Sequence, residues 1–154
     1  MKLSTLLWPG LACVAACLGL ANPVMAQSLA DCNAATVEGD TGPIKKALYV
    51  VGTFPGASWL HVPARKMSYK GNGIYQLVND EKAGPVTFQY ATLNWNPQFS
   101  AKSMAMTPGV EADMTKGAMG TDTVITLPAD GKYVWSIHVE SAQKATKAMV
   151  AACK

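Results

Sequence analysis

Charge is scarce in this sequence. Asp, Glu, Lys and Arg make up 15% of its 154 residues, and 13 basic against 10 acidic side chains leave a formal charge of +3. The basic residues are scattered rather than clustered, which excludes an electrostatic nucleic-acid binder. Histidine is scarcer still, with only His61 and His138. There is no His-x-x-x-His pair, no phosphate-cradling glycine loop, no nucleophile elbow, and no carboxylate spacing that suggests a catalytic pair. A hydrolase needs a positioned nucleophile, a base and an oxyanion site. These absences argue against an enzyme, and no cofactor is expected. Disorder is excluded by the opposite measure, since 49% of the residues are hydrophobic.

Part of that hydrophobicity belongs to a targeting segment. Lys2 gives a short positive start, 3–21 is apolar apart from Ser4 and Thr5, and Asn22-Pro23 breaks the run. Val24-Met25-Ala26 then forms a small-residue cleavage site before Gln27. This is the layout of a secretory signal peptide over 1–26. A membrane anchor is one competing reading, but Pro9, Gly10, Gly19 and Pro23 shorten the clean apolar stretch below the ~18–20 residues a span needs. A lipoprotein is another, because Val14-Ala15-Ala16-Cys17 is like a relaxed lipobox with Cys17 acylated. Cleavage after Ala26 leaves 128 residues with 12 basic and 10 acidic side chains. No later apolar run is long enough to be a transmembrane segment, so an exported domain, periplasmic or extracellular, is expected.

Cleavage also removes Cys13 and Cys17 and leaves Cys32 and Cys153, one near each mature end. An even pair in an oxidising compartment predicts a disulfide. It would close a loop of about 120 residues, for which chain-entropy arithmetic gives on the order of 4–5 kcal/mol. It also requires the first and last segments of the mature chain to be neighbours in space.

What lies between reads as short strands and turns. The stretch 27–46 is a polar lead-in to a domain over 47–154. β-branched and aromatic runs bounded by Gly, Pro and Asn predict strands at 47–53, 66–69, 74–78, 86–92, 123–127 and 132–140. In one of them Val86, Phe88 and Tyr90 share a face; in another Tyr133, Trp135, Ile137 and Val139 do. The alanines of 145–153 permit a helix, but its brevity and the proposed clasp favour a last strand. The region 93–120 is the least regular. With no convincing helix, no internal repeat and no second domain, the spacing predicts a β-sandwich.

Three residue groups are candidates for function. Met104, Met106, Met114 and Met119 lie within 16 residues, and soft thioethers select Cu(I). Methionine is also a general gap-filler, and no Cys or His interleaves here. His61, in a loop, and His138, on the polar face of a strand, are expected to be solvated. Trp59 and Trp95 fall in loops flanked by Pro, Gly and Asn, and an exposed aromatic face can stack on the C–H face of a sugar ring. Packing of both rings inward is the alternative. Trp135, on an alternating strand, is expected in the core.

The order of the pieces then resembles a known family. LYVVGTFPGASW (48–59), MSYKGNGIYQLV (67–78), AGPVTFQYATLNW (83–95) and LPADGKYVWSIHVES (127–141) are similar, in that order, to the starch- and glycogen-binding modules found beside pullulanases, branching enzymes and related amylolytic enzymes. The resemblance implies an all-β, immunoglobulin-like sandwich of about seven to eight short antiparallel strands. It places Trp59 and Trp95 at the two sugar-stacking tryptophans. Gln89 falls where the family usually has a lysine that bonds glucose hydroxyls; glutamine donates and accepts without charge assistance, which implies weaker binding. Thr121 and Thr123 fall near a further polar contact. The implied ligand is an α-glucan, as starch, glycogen or maltodextrin, and the implied companion is an amylolytic enzyme. No catalytic domain follows in this chain, so the expectation is non-catalytic glucan binding by an exported domain. The competing reading is an exported sandwich that docks a protein and has no glucan affinity.

Overall fold

The computed structural model describes residues 28–154. The expected signal peptide over 1–26, its expected cleavage site and the alternative lipobox at Cys17 lie outside the described residues. Within them the chain forms nine strands: β1 (Leu48–Gly52), β2 (Ser68–Gly71), β3 (Ile74–Glu81), β4 (Gly84–Thr92), β5 (Gln98–Ala101), β6 (Ala112–Lys116), β7 (Thr123–Leu127), β8 (Gly131–Ser141) and β9 (Lys144–Ala152). All pairings between them are antiparallel.

The strands divide into two layers. β4 is the centre of the first, with β1 on one edge through Val50↔Tyr90. On its other edge β7 pairs along the first half, Val86↔Ile125, and β5 along the second, Tyr90↔Phe99. The second layer runs β9-β8-β3-β2. β6 belongs to both, pairing with β5 through Ser100↔Thr115 and with β9 through Ala112↔Ala148. A strand that changes sheets this way closes one side of a sandwich.

Period-two alternation explains the packing. Val86, Phe88 and Tyr90 of β4 face Tyr133, Trp135, Ile137 and Val139 of β8 across the core, as the sequence predicts. Each such side chain removed from water stabilises the fold by roughly 1.5–3 kcal/mol. At the centre the Trp135 ring meets Phe88 at 5.0 Å and Phe54 at 5.5 Å, both edge-on. The indole N–H is not left bare: it donates to Glu81 Oε1 at 2.9 Å. Glu81 in turn takes both guanidinium nitrogens of Arg65, which arrives on a single 3-10 turn, Pro63–Arg65, and lies 3.6 Å over the Phe54 ring. A buried ion pair is tolerable only when its lone pairs and protons are satisfied in this way.

The all-β sandwich is the predicted one, with β5 and β6 as additions in the region that carries no strand pattern. The segment 145–153 resolves as the strand β9. The Cys32–Cys153 disulfide is formed, with Cα atoms 5.9 Å apart across a sequence separation of 121. The lead-in forms no strand but is tied down. Ser136 Oγ and Gln76 Nε2 donate to the Leu29 carbonyl, and the Val37 N–H donates to Tyr69 O at 3.0 Å. The Ile44 N–H donates to the Tyr75 hydroxyl at 2.9 Å, whose pKa burial pushes up to about 12. Because Ser136 alternates with the core residues Trp135 and Ile137, the Leu29 end of the lead-in lies on the outer face of the second layer. No helix among the described residues is long and apolar enough to cross a membrane.

Candidate functional site

The outer face of the first layer carries a cleft. Gln89, alternating with Phe88 and Tyr90, points away from the core and helps to line it. Two loops carry the aromatic side chains that line it. In the first, Gly52 lets β1 end against the Thr87 carbonyl, where any Cβ would collide with backbone. The chain then turns through Phe54-Pro55-Gly56-Ala57, closed by the Ala57 N–H donating to Phe54 O at 3.0 Å, and returns so that the Trp59 N–H donates to Gly52 O at 2.8 Å. In the second, Trp95 follows β4 in a turn closed by its N–H donating to Thr92 O at 2.8 Å. Thr92 is itself held from both N–H and hydroxyl to the Pro97 carbonyl.

Trp59 and Trp95 both have left-handed backbones, at φ 55° and 57°. For bulky side chains that conformation costs of order 1–3 kcal/mol and persists only where surrounding structure imposes it. Both indoles are half-buried, with centroids 6.4 Å apart and planes tilted by 39°. Together with Gln89, Gln98, Met119 and Asp122 they bound a cleft of about 430 Å³. The two rings give it an apolar wall, and the amides and carboxylate give it a polar one.

A third wall is the loop 117–122. Gln89 Nε2 donates to Ala118 O at 3.0 Å and to Asp122 Oδ1 at 2.7 Å, pinning both ends of the loop. Gly117 fits because a Cβ there would press on Gln89 Oε1 at 2.7 Å and on Ser100 Oγ at 2.8 Å. Gln89 Oε1 is consequently buried with no hydrogen-bond partner. At the tip, Met119 is 99% exposed, an apolar side chain standing free at the lip.

The predicted site residues are therefore only partly brought together. Trp59, Gln89 and Trp95 meet in the cleft. Thr121 braces the loop instead, accepting from the Ala118 N–H at 2.7 Å and donating to Ala118 O at 2.9 Å. Thr123 is fully buried, and its hydroxyl accepts the Ala101 N–H at 2.8 Å. Gln98 and Asp122 carry no sequence signal, and Met119 stands out in the sequence only as one of the clustered methionines; each reaches the cleft through strand pairing or loop closure. His61 departs from its expected solvated setting. It lies edge-on to Trp95 at 5.0 Å and to Tyr49 at 5.4 Å, and its Nε2 is buried without a partner. Burial lowers its pKa, partly offset by the Thr92 backbone. Of the four clustered methionines, Met106 and Met114 pack in the core while Met104 and Met119 are exposed.

No family model matches the chain, and no curated protein matches it. Among solved structures it is similar to the ligand-induced structure of AmyP-SBD, a starch-binding domain, at 42% sequence identity. The match covers 95% of this chain and 97% of that one, with a TM-score of 0.64.

Proposed function

Because the chain belongs to the family of the AmyP starch-binding domain, we propose that it binds α-glucan, as starch, glycogen or maltodextrin, without catalysis, in the cleft walled by Trp59 and Trp95. The observation that carries this reading is the pair of half-exposed indoles held by left-handed turns on one side of a cleft. A rigid aromatic pair is what successive sugar rings stack on. One such contact resembles the ring-on-ring contacts worth ~0.5–1.5 kcal/mol beyond area burial. Two contacts with a few hydrogen bonds, after the entropy cost of association, give an affinity in roughly the micromolar to millimolar range.

The polar wall divides its work. Asp122 keeps a second carboxylate oxygen to accept a sugar hydroxyl, and Gln98 offers an amide. Gln89, with its amino group committed to Ala118 and Asp122, acts by holding the loop that presents Asp122. We assign no direct sugar contact to Thr123. Export through the segment 1–26 and an amylolytic companion enzyme belong to the same reading. The disulfide supports the first, since such bonds persist in oxidising compartments, and the ordered likeness to the pullulanase and branching-enzyme modules supports the second.

The test is retardation of the protein in a native gel containing soluble starch or glycogen. The wild type is expected to be slowed, and Trp59→Ala and Trp95→Ala are each expected to lose most of that retardation while keeping their circular dichroism. No retardation of the wild type, together with no maltoheptaose-induced shifts in its NMR spectrum, would overturn the reading.

A further inference from the structure

His61 is a buried-edge titratable group for which glucan stacking has no direct use. Its ring touches Tyr49 and Trp95, both edge-on, so it joins the cleft indole to strand β1. Its Nε2 is out of contact with solvent and has no acceptor. A neutral imidazole tolerates this arrangement as one aromatic ring among others. An imidazolium does not, because both ring nitrogens then need acceptors.

Burial itself opposes a charge on His61. β1 presents the Tyr49 phenol, flanked by Lys66 on the chain bridged to it. The Trp95 loop presents its indole to the ring, and the same loop takes a cation elsewhere, Lys46, whose Nζ donates to Asn96 O at 3.3 Å. The Thr92 backbone at the end of β4 is the one neighbour that favours protonation. Asp122, the carboxylate of the cleft wall, is engaged by Gln89. No charged group of the loop 53–62 is available to pair with the ring.

We propose that His61 is the positioning residue of the cleft: neutral, its ring braces the Trp95 indole against β1, and its protonation withdraws the brace, so that ligand binding weakens on acidification. This rests on the glucan reading for its ligand but not for its geometry. Histidine is suited to the role because its charge changes within the range through which an exported protein's surroundings vary.

The experiment compares wild type, His61→Phe and His61→Ala between about pH 8 and about pH 5. Maltoheptaose affinity is measured by NMR titration, and the Trp95 indole N–H resonance is followed without ligand. In the wild type, affinity is expected to fall about tenfold over that range, and the free indole resonance to move with the same midpoint. His61→Phe, which keeps a ring and loses the proton, is expected to bind within about threefold of wild type at high pH and to show no such dependence. His61→Ala is expected to bind at every pH about tenfold more weakly than the wild type does at high pH, with its circular dichroism unchanged. A pH dependence that survives in His61→Phe, or wild-type affinity in His61→Ala at high pH, overturns the proposal. So does affinity that rises on acidification. If the wild type binds no glucan at any pH, the functional reading fails, and the ligand-free indole resonance still decides the role of His61.

Discussion

Two sets of aromatic rings occupy this sandwich, and they differ less in composition than in what surrounds them. The inner set, Phe54, Phe88, Tyr90 and Trp135, sits on or against strands whose alternation buries every ring. Its polar atoms are all answered: the Trp135 N–H by Glu81, and the Tyr90 hydroxyl by Ser136 O at 3.2 Å. The outer set, Tyr49, Trp59, His61 and Trp95, is carried mainly on loops, keeps open faces and leaves His61 Nε2 unanswered. Satisfied edges make an aromatic cluster a core. Open faces on two indoles held by left-handed backbone, and an unmatched polar atom on His61, set the other cluster apart from a core.

The sharpest way to break this comparison is to damage the inner set through its polar handle. Glu81→Ala leaves the Arg65 guanidinium buried and unpaired and the Trp135 N–H without an acceptor. It is expected to cost about 3–5 kcal/mol in urea unfolding. A loss below about 1 kcal/mol would show that the centre is wetter than its geometry implies.

A smaller effect separates the buried floor of the cleft from its walls. Thr123→Val keeps shape but orphans the Ala101 N–H, which is expected to cost about 1–3 kcal/mol. Glycogen retardation under folding conditions is expected to persist. Loss of retardation with stability intact would return Thr123 to the ligand.

Smaller still is the stability effect of the outer indoles. Trp59→Ala and Trp95→Ala are expected to change unfolding free energy by less than about 1 kcal/mol, because the rings are half-exposed and the backbone strain remains. Trp95→Gly removes that strain at φ 57° and is expected to be more stable than Trp95→Ala by a few tenths to about 1 kcal/mol, while binding is equally lost. If either alanine variant unfolds, the two aromatic sets are one core.

The smallest expected effect is on stability against pH. The folded-state pKa of His61 lies below its ordinary value because burial disfavours the charge. The unfolded chain therefore binds more protons at mildly acidic pH, so this group's contribution is complete above the unfolded pKa and is lost as pH falls through the folded one. The urea midpoint of wild type is expected to fall more between neutral pH and mildly acidic pH than that of His61→Phe. Equal slopes would show that the ring is as well solvated folded as unfolded.

The inner set was legible in the sequence because alternation is a local signal: Tyr133, Trp135, Ile137 and Val139 announce their common face. β5 and β6 were not, since Phe99-Ser100-Ala101 is buried only because β4 and β6 flank it. The same alternation in 123–127 turns Thr123 inward with Ile125 and Leu127, and weighing that pattern against the family correspondence identifies Thr123 as a packing residue. Trp59 and Trp95 were legible as loop aromatics, and their positions in the family pattern added to that. Asp122 and Gln98 were not, and Met119 was legible only as one of the clustered methionines, because β5 and the loop 117–122 have to fold against the tryptophan loops before they share a cleft. His61 was hidden for the same reason: nothing beside it in the chain reveals that Tyr49 and Trp95 will close around it.

The disulfide also decides how the domain would carry a mechanical load. A pull on the two segments that leave at Cys32 and Cys153 passes straight across a pair of Cα atoms 5.9 Å apart. The folded chain between them is short-circuited, and the ladder from Tyr133↔Ala152 onward bears no tension. With the bond reduced, the same pull acts on the open end of β9 and can unzip it from β8 one residue pair at a time. The cleft lies on the outer face of the first layer, whereas Leu29, close to one of these exits, is bonded to the outer face of the second. Tethered there, the domain would keep the cleft clear of the tether.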